Sequence, residues 1–162
     1  LKKGLIAVLA GVLAVALFAA GCGSSSDTTS TEALTKAQFL KQGNAICAAG
    51  NKEINAEFEK FSKENEFSKK KQPTQAQFEE GAEEIVVPSI RKQIDELSEL
   101  SAPEGEEQQF ETLLENAEAQ LEKGEEDTSL LTDENNHLFA SVNKEAKALG
   151  LVRCAEGEEE EG

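Results

Sequence analysis

The chain has 162 residues, of which 32 are acidic and 16 basic, a formal net charge of −16, and it contains no Tyr, Trp or Met. Such an acidic balance repels nucleic acid and anionic lipid headgroups. The missing Trp and Tyr argue against a sugar-stacking cleft and leave any core to Leu, Ile, Val, Ala and Phe.

Lys2 and Lys3, an uncharged apolar run from Leu5 to Ala20 and small residues at its end are the three parts of a secretory signal. A bilayer core asks for about 20 apolar residues. This run is shorter and ends in Gly21-Cys22-Gly23-Ser24 rather than in basic stop-transfer residues, so residues 1–21 read as a signal peptide. Its end, Leu17-Phe18-Ala19-Ala20-Gly21-Cys22, resembles the lipobox of bacterial lipoproteins, with Ala19 where leucine is commoner. The resemblance implies cleavage before Cys22, a diacylglycerol on its thiol, and an anchor on the extracytoplasmic face of the cell membrane. Ordinary cleavage or an uncleaved anchor are the alternatives.

Residues 22–34 comprise Cys22 and a tether, whose stretch from Gly23 to Thr31 is all Gly, Ser, Thr and Asp and buries too little surface to offset the entropy of ordering. Residues 35–155 read as one helical domain of four helices. In the first, Phe39, Gly43, Cys47, Gly50, Ile54, Phe58 and Phe61 recur at the spacing of one helical face. Thr35 with Gln38 forms a capping box before it, and Thr74 with Gln77 forms another before the second helix. Between them lies a turn with Lys69, Lys70, Lys71 and Pro73. The second helix carries Phe78, Ala82, Ile85, Ile90, Ile94 and Leu97, with Pro88 expected to kink it or divide it in two. Pro103 suits the first turn of the third, whose face is Phe110, Leu113, Leu114, Ala117 and Leu121, with Gly124 as its end. The fourth is expected from about Asp133 to Leu149, with Leu138, Val142 and Ala146 inward and Gly150 as its stop. Residues 156–162 form a self-repelling acidic tail, expected to be disordered.

Four amphipathic helices with short connections make an all-α, up-down-up-down bundle, because each must bury one stripe and short loops force antiparallel neighbours. In that topology Cys154, just past the last helix, lies on the same side as Cys47 in the first. Export to an oxidising compartment favours a bridge between them, and closing so long a loop is worth up to about 4.7 kcal/mol in the chain-entropy model. Two buried free thiols are the alternative.

Three segments, Gly43-Asn44-Ala45-Ile46-Cys47, Leu97-Ser98-Glu99-Leu100-Ser101-Ala102-Pro103 and Leu149-Gly150-Leu151-Val152-Arg153-Cys154, together resemble a group of small lipoproteins from high-GC Gram-positive bacteria. The resemblance spans nearly everything after the leader. It implies a disulfide-tied helical domain on the outer face of the membrane and carries no activity with it.

Enzymatic chemistry finds few residues to use. His137, the only histidine, follows Glu134 at the Glu-x-x-His spacing of carboxylate-bridged metal bundles, but such sites need two of these motifs. A Ser-His-Asp triad would need the same histidine, and no Gly-x-Ser-x-Gly turn is present. Among 32 acidic residues any carboxylate pair is uninformative. Lys69, Lys70 and Lys71 could touch polymer phosphates, although three lysines in a turn are usually only solvated. The expectation is therefore a membrane-anchored, extracytoplasmic, non-catalytic module that binds or spaces an envelope protein or polymer, with no catalytic residue, metal or cofactor and no nucleic acid. The alternative is a carrier of a small apolar ligand between its helices, which should bury a closed cavity of about 300 Å³ or more, whereas a scaffold should be solidly packed.

Overall fold

The structure is a computed structural model that describes residues 34–133 and 137–155. The leader, the lipobox with Cys22, the tether up to residue 33 and the acidic tail at 156–162 lie outside the described residues. Helices dominate: α1 (Lys36–Glu64), α2 (Gln75–Gly81), α3 (Val87–Ser98), α4 (Glu107–Glu126), the single turn α5 (Ser129–Thr132) and α6 (Ala140–Leu149). A closing 3₁₀ turn follows at Val152–Ala155. Among the described residues there is no strand, only an isolated bridge between Ser68 and Lys71 in the turn after α1.

Both expected capping boxes form. Thr35 accepts from the Gln38 N–H while the Gln38 side chain takes the Thr35 N–H at 3.0 Å, and Thr74 and Gln77 repeat the arrangement. Each satisfies two amide donors that a helix start leaves open. Gly150 ends α6 at φ +85°, and the N–H groups of Gly150 and Leu151 return to the carbonyls of Lys147 and Ala146. This is the Schellman arrangement, which asks for a residue free to adopt the left-handed region.

The irregularity expected at Pro88 takes the form of a π turn over Ala82–Val86, closed by the Val87 N–H on the Ala82 carbonyl, so α2, the π turn and α3 follow one another without a loop. Proline has no N–H to donate and its ring crowds the carbonyl four residues earlier, so widening the preceding turn relieves both.

Three boundaries differ from expectation. Pro103 lies in a turn before α4, accepting from the Glu106 N–H, rather than in the first helical turn. Gly124 does not end α4. It is buried within the helix, where Leu131 of α5 packs so closely that a Cβ would stand 2.7 Å from its Cδ2. The last helix begins at Ala140, not near Asp133, because α5 and a turn at Leu138–Phe139 occupy the approach.

Packing runs in a ring. α3 lies against α1 and α4, α4 against α6, and the 3₁₀ turn against both α6 and α1. The direct pairing expected between the first and last helices is thus made chiefly through that turn. One core cluster gathers Phe39, Cys47, Leu97, Phe110, Leu149 and Leu151, with Phe39 and Leu151 fully buried. Phe39 meets Phe110 edge to face at 4.9 Å, a favoured geometry for aromatic pairs. A second cluster holds Val87, Ile94, Ala117 and Leu121.

Candidate functional site

Cys47 and Cys154 form a disulfide, with Cα atoms 4.9 Å apart across 107 residues. The helix face that carries Cys47 also fastens the turn around its partner. Asn44 donates from Nδ2 to the Gly150 carbonyl at 3.1 Å and accepts the Arg153 N–H at 2.8 Å, and Asn51 donates to the Arg153 carbonyl at 3.0 Å. Residues 44, 47 and 51 follow one another at steps of three and four, which stacks them on one stripe of α1. Lys36 adds a tie at the same pole, pairing with the Glu106 carboxylate and donating to the Leu149 carbonyl.

Beside this clamp opens an interhelical cleft of about 360 Å³. Ile54 of α1, Ile94 of α3, Leu114 of α4, Leu131 of α5 and Val142 of α6 contribute its apolar walls, and the disulfide forms part of its lining. Four groups that can hydrogen-bond or titrate also line it: Asn51, Gln93, His137 and Asn143. Gln93 is 9 % exposed, and a Cβ at Gly50 would overlap its amide, so that glycine is what admits it against α1. No described residue makes a hydrogen bond to the Gln93 side chain, whereas the neighbouring buried Ser89 donates to the Gly50 carbonyl at 3.5 Å.

Among the described residues no Lys or Arg lines the cleft. Arg91 and Lys92, on the adjoining turn of α3, are spent outside it. Arg91 pairs with Glu125 and Lys92 with Glu53 at 2.7 Å, and these hydrogen bonds, followed by the attraction of the same carboxylates, raise both groups above their ordinary values. A second groove lies at the far end of α1, between Phe58, Phe61, Phe67 and Phe78.

The structure brings Cys47 and Cys154 together and puts His137 on the cleft wall. Its motif partner Glu134 lies outside the described residues, as does the lipidation residue Cys22. Among the described residues no group of three or more His, Cys, Asp or Glu side chains could hold a metal ion, and no helix is long and apolar enough to cross a membrane. Lys71 of the basic triad is engaged locally, donating to the Asn65 carbonyl at 2.7 Å and facing Glu66. Sequence reasoning missed the clamp asparagines and Gln93. The signal was present for both: two asparagines on the stripe of a cysteine, and one glutamine within the apolar face of Ile90, Ile94 and Leu97.

No protein-family model matches this chain, and no curated protein or solved structure shows significant similarity to it.

Proposed function

We propose that this chain is a lipid-anchored, non-catalytic binding domain of the cell envelope, held at the extracytoplasmic face through Cys22, and that its interhelical cleft takes a small apolar ligand. The cleft carries this reading. Its volume of about 360 Å³ falls within the span of small-molecule sites, on the order of 300–1,000 Å³; two shallower grooves reach similar volumes, and what sets this one apart is apolar walls drawn from five helices. A domain that only spaced its partners would need no apolar cleft between five helices, so the carrier is favoured over the spacer, although the cleft is open to solvent and not a closed cavity. The resemblance to small lipoproteins of high-GC Gram-positive bacteria supports the location. For the architecture we adopt the up-down-up-down bundle, bent near Pro88. Phe39 near the start of α1, Leu97 near the end of α3, Phe110 near the start of α4 and Leu149 at the end of α6 all meet in one cluster, as alternating helix directions require.

Both halves of the reading are open to test on the full chain. Cys22→Ser should leave the precursor unprocessed or release the protein from the membrane fraction, and processing and retention like the parent protein would refute the anchor. Purified protein should bind one equivalent of diphenylhexatriene, a fluorescent hydrocarbon. Asn143→Trp, which fills a half-buried cleft position, should abolish that binding. Absence of binding to the parent protein would refute the carrier.

A further inference from the structure

We propose that the cleft selects a neutral ligand, an apolar body with one uncharged hydrogen-bonding group such as a hydroxyl, ester or amide, and that the Gln93 amide reads this group. The inference rests on the carrier reading above and narrows it to a ligand class. Gln93 occupies a core position: it lies on α3 between Ile90, Ile94 and Leu97 and is nine-tenths buried. Buried amides are ordinarily satisfied by protein or ordered water, and even the half-buried Asn44 and Asn51 of the facing helix have protein partners. The Gln93 amide has no hydrogen bond from any described residue. No polar side-chain atom in the described structure is both sealed from solvent and unpartnered, so the Gln93 oxygen and nitrogen, packed over Gly50 of α1, keep some exposure, and Gln93 is one of the residues that line the cleft. A primary amide offers two donors and an acceptor. It can therefore pair with a hydroxyl, a carbonyl or another amide.

Charge decides against an anionic headgroup. A carboxylate or phosphate drawn into an apolar cleft needs a cation to offset its lost hydration. Among the described residues the cleft presents no Lys or Arg, its one imidazole, His137, already has a partner, and the cations of α3, Arg91 and Lys92, are paired with Glu125 and Glu53. The chain as a whole carries a formal charge of −16, which opposes an approaching anion further.

The test uses the full purified protein, with diphenylhexatriene as the reporter and two competitors of equal chain length, 1-dodecanol and dodecanoate, at neutral pH. Dodecanol should displace the reporter at a concentration at least about tenfold lower than dodecanoate. Gln93→Leu should weaken dodecanol by about five- to tenfold relative to the hydrocarbon reporter, the loss of one hydrogen bond, since the reporter has no group for the amide to read. If Gln93→Leu loses the reporter through misfolding, the unbranched Gln93→Met serves in its place. Unchanged dodecanol affinity in a variant that still binds the reporter would overturn the inference and leave the carrier standing. So would equal affinity of the parent protein for dodecanol and dodecanoate. Failure of the reporter to bind the parent protein would instead remove the carrier, and the inference with it.

Discussion

The two halves of α1 carry the same apolar repeat and end in different surroundings. From Phe39 to Gly50 every third or fourth residue is buried; Ile54, Phe58 and Phe61 continue the register and are only half-buried. What changes is the supply of partners. The first half faces α3, the 3₁₀ turn and the side chains of Phe110 and Leu149. The second half faces α2 and the turn that carries Phe67, where Gly81 lets the Phe58 ring approach to within 3.0 Å of where a Cβ would stand. Periodicity thus identifies the face a helix would bury, while burial itself depends on what the rest of the chain brings to that face. The cleft lies where the two halves join, at Cys47, Asn51 and Ile54, and the aromatic groove marks the far end of the poorly partnered one.

The sharpest test of this contrast is Phe39→Ala. Phe39 has no exposure and meets Phe110 edge to face, and removing a fully buried phenyl ring typically costs about 3–5 kcal/mol through lost transfer energy and the cavity left behind. Urea unfolding of the purified domain should show a loss of that size with an unchanged slope. A cost under about 1 kcal/mol would mean that the clamped pole is not the centre of stability.

Removing the bridge should come next. Cys47→Ala with Cys154→Ala opens a loop spanning 107 residues, and loss of such a crosslink typically costs about 2–4 kcal/mol. The thermal midpoint should fall by roughly 10 °C for a domain of this size. The domain should nevertheless stay folded at moderate temperature, because the Asn44, Asn51 and Lys36 hydrogen bonds hold the same turn and pole without it. Complete unfolding at 25 °C, followed by circular dichroism, would show that those bonds cannot hold the pole alone.

Much of this architecture was legible in advance, for physical reasons that vary by element. Caps and stops are local: Thr35, Thr74 and Gly150 act on amides and carbonyls within four residues, so a short window of sequence contains the whole interaction. The disulfide was accessible because its two residues had no other partners after Cys22. Boundaries set by tertiary contacts were harder. Gly124 has the local signature of a helix stop and instead makes room for Leu131, and the start of α6 depends on how α5 folds back onto α4. The cleft was beyond a linear reading, since its walls come from five helices. Gln93 stood out only as an exception to an apolar face, and its meaning depends on the hydrogen bonds it lacks.

The smallest effect is expected at the other end of the comparison. Phe78 of α2 continues an apolar pattern that, read alone, assigns it to the core, yet it is 49 % exposed and lines the distal groove beside Phe58 and Phe61. A ring already half in water gives up little on truncation, and α2 gains helix propensity from alanine. Phe78→Ala should therefore change unfolding free energy by no more than about 0.5 kcal/mol, the scale of surface substitutions. Amide exchange can separate local from global consequences in the same variant: protection near Phe61 and Gln77 should drop while that around Cys47 stays unchanged. A global loss above about 1 kcal/mol would mean that the distal phenylalanines form a third core cluster, and the division of α1 into a clamped half and a loosely covered half would fail.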